Sequence, residues 1–387
     1  MARRSRKKQR VSSLPDDLIV EILSRVPYRS LCLFKCVSRS WLALCSDPDL
    51  RKKSPQTLSG FFCYPRSRHE DDDYDYGPHL INLSGRGRPV VDPSPPLLEG
   101  YASRPLLLQC CSSLLLWRVW RSCLDEPKYI VSNPATQKWI LLPPTEARDP
   151  YPLHFVRLGF DPAAMPSCFF VFMFVTTGHY RDRNRITGVK IYSSETGGWI
   201  FRQSEWEDDT TMGRYDSKTV FFNGTLYSTT TDLSLASIDA EGKTWRKIRM
   251  PQSYIQPKIS EDDCFIVHSR GRLYAMHIDF RNHNQLSVWA LGANGNEQWA
   301  LEHTANITQL LGRHRGVYDV YKLIAAHPER NLIFLTGWLG NGLMSCDLDK
   351  KEVHAICSHQ EYFFAPCLSY IPCFVEWSLP LRMATEG

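Results

Sequence analysis

Ile191-Tyr192-Ser193-Ser194-Glu195-Thr196-Gly197-Gly198-Trp199 is the stretch on which the fold turns. Val189 to Tyr192 alternates apolar with polar side chains, the period of a half-buried β-strand. Ser193–Gly198 then supplies residues suited to a chain reversal. Trp199 opens the next apolar run. The same unit of polar turn followed by tryptophan recurs at Thr136-Gln137-Lys138-Trp139, Gly242-Lys243-Thr244-Trp245 and Asn296-Glu297-Gln298-Trp299. The four tryptophans are 60, 46 and 54 residues apart. Repeats of roughly 40–50 residues with about four strands each predict a β-propeller. At that period the body has room for about six to eight blades. The simplest role for each tryptophan is to pack between neighbouring blades.

The rest of the body fits this pattern. Phe221-Phe222, Asn223-Gly224 and Thr225-Leu226-Tyr227 predict a hairpin with a two-residue turn. Gly271–Met276 repeats the theme, and Leu286–Leu291, Leu332–Leu335 and Leu343–Cys346 read as further strands. Between 66 and 78 lies an acidic loop, where Glu70–Asp75 holds five acids in six residues. Such a run is either a solvated loop or an acidic recognition loop.

Residues 11–52 differ in texture and predict three short helices. Ser13 is a candidate N-cap, Pro15 suits the first turn, and Asp16 and Asp17 suit the positive end of the helix dipole. Leu18, Ile19, Ile22, Leu23 and Val26 then share one apolar face, and Pro27 stops the helix. Ser30 is read as the cap of a second helix carrying Leu31, Leu33, Phe34 and Val37. Ser38, Ser40 and Trp41 open a third that ends near Asp47. Forty residues bury little surface, so the module needs a neighbour or a partner.

Charge and composition narrow the function classes. The chain has 387 residues, 46 Lys or Arg and 41 Asp or Glu, for a net charge of +5. Residues 1–10 alone hold Arg3, Arg4, Arg6, Lys7, Lys8 and Arg10 and no acid. The remainder is 40 bases against 41 acids, so no basic body exists to neutralise phosphates, and nucleic acid is an unfavoured partner. The basic leader reads either as a nuclear-localisation signal or as a soluble tail. The longest apolar run, Cys168–Val175, is far short of the ~20 residues of a membrane span, and no apolar segment suits a secretory signal. The 13 cysteines follow no repeated spacing and read as reduced thiols of a cytosolic or nuclear protein. No GxSxG, P-loop, HExxH or GxGxxG motif occurs. The histidines, including His277, His283, His354 and His359, form no metal-ligand pattern, so no cofactor or metal is expected.

Two sets of residues carry a family resemblance. Leu14-Pro15-Asp16-Asp17-Leu18, Ile22–Pro27, Leu31 and Cys36-Val37-Ser38-Arg39-Ser40-Trp41 resemble the F-box. Ser132–Trp139 with Leu141–Pro144, Gly159-Phe160-Asp161-Pro162 and Ile191–Trp199 are similar to the F-box-associated domain of plant F-box proteins, itself like a kelch-type propeller. The body lacks the regular double-glycine signature of kelch repeats.

The resemblance implies an α+β multidomain chain: a basic tail (1–10), a three-helix F-box (11–52) and a mostly β, propeller-like domain (58–380). It also implies a non-catalytic role in the nucleus or cytoplasm, as substrate receptor of a Skp–cullin–F-box ubiquitin ligase. The implied adaptor-binding residues are Leu14, Pro15, Leu18, Ile22, Leu23, Pro27, Leu31, Val37 and Trp41. They would grip a Skp-type adaptor and, through it, cullin and RING subunits. Arg181, Arg183, Arg185, Arg313 and Arg315, on loops of the body, are candidates for holding a protein target. A propeller enzyme, a small-ligand binder or a non-degradative scaffold remains an alternative on these residues.

Overall fold

The computed structural model describes residues 14–26, 28–47, 50, 58–63, 78–83, 91, 105–120, 126–145, 155–162, 164, 167–177, 185–206, 210–212, 219–251, 265–279, 282, 284–292, 298–311, 321–337, 342–357, 367–373 and 377. The chain divides into two compact units, 1–56 and 57–387.

The first unit holds α1 (Asp16–Ser24), α2 (Tyr28–Phe34) and α3 (Arg39–Ser46). Asp16 and Asp17 occupy the first turn of α1, where carboxylates favour the helix dipole. Pro15 sits at the N-cap position and makes no side-chain cap; Ser13 lies outside the described residues. The α2 helix starts at Tyr28, so Ser30 is inside it rather than its cap. A chain leaving a proline is already set for a first helical turn, which moves the start forward. Ser38 caps α3 as its spacing predicts, its hydroxyl accepting the Trp41 N–H at 3.2 Å. Leu23, Leu31, Cys45 and Leu50 are buried at the centre, with Ile19, Val20, Val26, Phe34, Trp41 and Leu44 packed around them.

The second unit builds six sheets among the described residues. It begins with β1 (Gly60–Cys63) and β2 (His79–Asn82). Five four-stranded meanders follow. The first is β3 (Leu106–Cys111), β4 (Leu114–Val119), β5 (Lys128–Asn133) and β6 (Lys138–Leu141). The next is β7 (Val156–Phe160), β8 (Phe169–Thr177), β9 (Arg185–Ser193) and β10 (Gly198–Gln203). Then come β11 (Thr219–Phe222), β12 (Thr225–Thr229), β13 (Ser234–Asp239) and β14 (Trp245–Arg249). The fourth is β15 (Phe265–Ser269), β16 (Arg272–Asp279), β17 (Gln285–Leu291) and β18 (Trp299–Asn306), followed by the short α4 (Ile307–Leu311). A fifth, β19 (Tyr321–Ala326), β20 (Leu332–Gly337), β21 (Leu343–Asp347) and β22 (Glu352–Cys357), precedes β23 (Leu368–Tyr370).

The first strand of each meander is its inner strand. In the order β3, β7, β11, β15, β19, β23 and back to β3, each touches the next, which closes a ring. The unit is therefore a six-bladed propeller, at the low end of the range the repeat predicts. The closing blade takes strands from both ends of the unit: β23 pairs antiparallel with β1, Gly60 opposite Tyr370, Phe61 opposite Ser369 and Phe62 opposite Leu368. Within the β unit the described helix is α4 alone, so the α part of the α+β expectation belongs to the first unit.

The core lies between blades. Leu116 and Val131 of one blade meet Leu158 and Val171 of the next, and Met276 and Val288 meet Leu323 and Leu335. Trp199 and Trp299 bridge blades: their indole N–H groups donate to the carbonyls of Pro143 and Arg249, both at 2.9 Å, just past or at the end of the preceding outer strand. Trp245 packs edge-on against Trp206 across another boundary, centroids 4.7 Å apart. Trp139 departs from the expectation and is 43% exposed, because the blade before it has three strands among the described residues and presents no outer strand there. The predicted hairpin at Asn223-Gly224 forms with φ of 49° and 70°, the left-handed pair that a two-residue turn requires.

Candidate functional site

Among its described residues the first unit presents an outward apolar stripe. Leu14, Leu18 and Ile22 follow one another at four-residue steps and so lie on one side of α1 and its approach. They are 54%, 51% and 54% exposed. Pro15 beside them is exposed as well. A polar edge flanks the stripe, where the Arg25 guanidinium meets the Glu21 carboxylate at 2.6 Å. Val37, in the turn after α2, is 61% exposed.

The nine predicted adaptor residues divide by burial. Leu14, Pro15, Leu18, Ile22 and Val37 face outward. Leu23 and Leu31 are instead 1% and 0% exposed and hold the unit's own core: Leu23 follows Ile22 by one residue, about 100° round α1, and Leu31 belongs to α2. Trp41 is half-buried, edge-on to Phe34 with centroids 5.5 Å apart. Pro27 lies outside the described residues. The structure adds Leu33 and Leu42, 66% and 48% exposed. Their signal was present in helical spacing: Leu31 and Phe34 turn inward, which sends Leu33 outward, and Leu42 follows the half-buried Trp41.

The propeller has two unlike ends. Connections between the first and second strands, and between the third and fourth, are mostly tight, as at 112–113, 194–197, 223–224 and 270–271. Neighbouring inner strands finish together at this end, where Ile371 donates to Ser112 at 2.9 Å and Arg270 to Pro328 at 2.6 Å. The strand ends at the other side are joined by longer segments. Among them are 64–77, with the acidic run, 178–184, with Arg181 and Arg183, and 312–320, with Arg313 and Arg315. All of these lie outside the described residues. Arg185 is described, exposed, at the start of β9 opposite Thr177. The basic leader from Arg3 to Arg10 is also outside the described residues.

The titratable groups of the β unit are tuned by burial. Burial pushes the Cys111 thiol up to about 12 and the Cys346 thiol up to about 11, and it raises Cys110 and Cys168 as well. A nucleophilic cysteine needs the opposite shift, toward thiolate at neutral pH. The Arg157 guanidinium on the inner strand β7 is pushed down to about 10 by the same cause. His327 falls to about 4 through burial and the neighbouring Arg330. Among the described residues no three His, Cys, Asp or Glu side chains group as metal ligands, and no helix is long and apolar enough to cross a membrane.

Comparison with known proteins places both units. The sequence profile described as "F-box domain" matches residues 11–53. That described as "F-box protein At3g26010-like, beta-propeller" matches residues 97–376. The chain is 22% identical to F-box protein At5g07610 of Arabidopsis thaliana over 314 residues, 76% of this chain and 71% of that protein. It is 22% identical to F-box protein At5g49610 of the same plant over 353 residues, 83% and 88% of the two chains. Putative F-box protein At1g47765, also from Arabidopsis thaliana, is 47% identical over 165 residues, covering 39% and 36%.

Proposed function

We propose, since this chain belongs to the plant F-box proteins with a C-terminal β-propeller, that it is the substrate-receptor subunit of a Skp–cullin–F-box ubiquitin ligase. The observation that carries the reading is the outward stripe Leu14, Leu18 and Ile22 on a unit whose core is already filled by Leu23, Leu31, Cys45 and Leu50. A Skp-type adaptor covers the stripe with Val37, Leu33 and Leu42, and brings the cullin and RING subunits with it. Each Leu or Ile buried in that contact contributes roughly 1.5–3 kcal/mol of transfer free energy.

The propeller holds the target protein on the end with the longer connections, where Arg181, Arg183, Arg313 and Arg315 and the acidic run 70–75 fall in the sequence. Mixed charge there favours a protein with complementary patches over a polyanion. The receptor does no bond chemistry. It raises the effective concentration of a target lysine near a charged E2, which is a gain from proximity. The upward-shifted Cys111 and Cys346 thiols are poor nucleophiles at neutral pH. The basic leader serves nuclear entry in this reading, with the protein working in the nucleus or cytoplasm.

Reconstitution tests the proposal. The full chain is mixed with a Skp-type adaptor, cullin, RING protein, E1, E2 and ubiquitin. A stable adaptor complex and chain-dependent ubiquitination of a captured protein are expected. Target candidates come from proximity labelling under proteasome inhibition, as proteins shared by the intact chain and a chain lacking residues 11–52. Failure to bind any adaptor at micromolar concentration overturns the reading. Adaptor binding without ubiquitination of any captured protein replaces it with a scaffold.

A further inference from the structure

The ring is closed by very little chain. Its last inner strand, β23, is three residues long, and it pairs with β1 from the other end of the unit. The register Phe62 opposite Leu368 puts Cys63 opposite Cys367 one step further on. Their sulfurs are 2.7 Å apart, although the residues are 304 positions apart in sequence. Directly opposed residues of an antiparallel pair have Cα separations of roughly 4.5–5.5 Å, within the range a disulfide spans without moving the backbone. Both residues are buried, at 0% and 7% exposed, in one apolar cluster with Phe61 and Phe334.

We propose that Cys63 and Cys367 form a reversible disulfide that clasps the first and last strands of the propeller. The oxidant is a hydroperoxide. One of the two sulfurs, as thiolate, attacks the peroxide oxygen, the O–O bond breaks, and a sulfenic acid and one water result with hydrogen peroxide. The facing sulfur attacks the sulfenic sulfur, the S–O bond breaks, and the oxygen leaves as a second water. Two thiols and one peroxide thus give one disulfide and two waters, two electrons passing from sulfur to the peroxide. A dithiol reductant reverses the step by exchange.

Burial sets the order of events. Access comes through fraying of β23, the shortest strand of the unit and the least able to resist opening. Closure stabilises the fold, because the bond spans nearly the whole propeller and a long cross-linked loop removes much entropy from the unfolded chain. Sequence spacing could not show this pair, since the partners meet only when the ring closes. Cys110 and Cys373 are the rival partners: both lie near the Tyr370 hydroxyl at the same seam. Cys36, exposed on the first unit, is a thiol that the oxidant reaches without forming the clasp.

The full-length chain is treated with hydrogen peroxide, alkylated, digested without reductant and mapped by mass spectrometry. The expected product links the peptide of Cys63 to the peptide of Cys367 in most molecules and is released by dithiothreitol. The unfolding midpoint rises by roughly 5 °C on oxidation. That rise is absent in Cys367→Ser. Separate alkylation of Cys63 and Cys367 after oxidation overturns the proposal, as does linkage of either to Cys110 or Cys373. Should Cys367→Ser not fold, the wild-type peptide map decides alone.

Discussion

The indole Nε1 of Trp199 donates a 2.9 Å hydrogen bond to the carbonyl of Pro143, from the outer strand of one blade to the chain leaving the outer strand of the blade before it. Trp299 does the same to Arg249 two boundaries further round the ring. Trp199 and Trp299 are therefore struts between blades, while Trp245 crosses its boundary by packing on Trp206 and Trp139 stays exposed.

Replacing Trp199 by Phe keeps an aromatic ring against Tyr192, whose centroid is 5.5 Å away, and removes the donor. The half-buried Pro143 carbonyl returns to water. A loss of about 1 kcal/mol is expected, read as a fall of a few degrees in the unfolding midpoint of the propeller. A fall no larger than that of a surface substitution would show the bond to be incidental.

The first unit separates contact from core. Leu18→Asp with Ile22→Asp places two charges on exposed positions, so helicity by circular dichroism stays and adaptor affinity drops at least 100-fold. Leu31→Ala does the reverse. It empties a fully buried position and costs about 2–5 kcal/mol, which a unit of this size does not have to spare. Adaptor binding that survives the double aspartate variant removes α1 from the interface.

Ser38 offers a milder handle. Its hydroxyl accepts the Trp41 N–H, and Ser38→Ala leaves that donor at the start of α3 without a protein acceptor. The expected cost is about 1 kcal/mol. Ser38→Asp restores an acceptor at the positive end of the helix and recovers the loss, which distinguishes capping from a general effect of the site.

Much of this architecture was legible in the residues themselves. Asn223-Gly224 named its own turn, because few other pairs accept two left-handed conformations. Ser38 announced α3. The outward stripe was half legible: apolar spacing located the residues but not which face wins burial, and Leu23 and Leu31 went inward. Ring closure was not legible. The pairing of β23 with β1 depends on strands more than 300 residues apart, and no local pattern encodes such a partner. The candidate target contacts at Arg181, Arg183, Arg313 and Arg315 rest on loop position alone, a property of chain order rather than of geometry.

His327 makes stability depend on pH. Its Nδ1 accepts the Glu329 N–H at 3.1 Å, a bond only the neutral ring can accept. Burial, then the nearby Arg330, push its pKa from 6.5 down to about 4 in the folded chain. The unfolded chain therefore takes up a proton that the folded chain refuses between those values. Unfolded protein gains stability from that proton, so the folded state weakens as pH falls below about 6.5 and the loss levels off near 4. His268, also lowered by burial, adds a slope of the same sign, opposed by Asp161. His327→Gln keeps an acceptor for Glu329 and removes the titration. Unfolding midpoints measured from pH 8 to pH 5 are expected to fall in the wild type and to fall less in the variant, the remaining slope belonging to His268 and the carboxylates. Equal slopes in the two proteins would show that His327 titrates alike in the folded and unfolded chains.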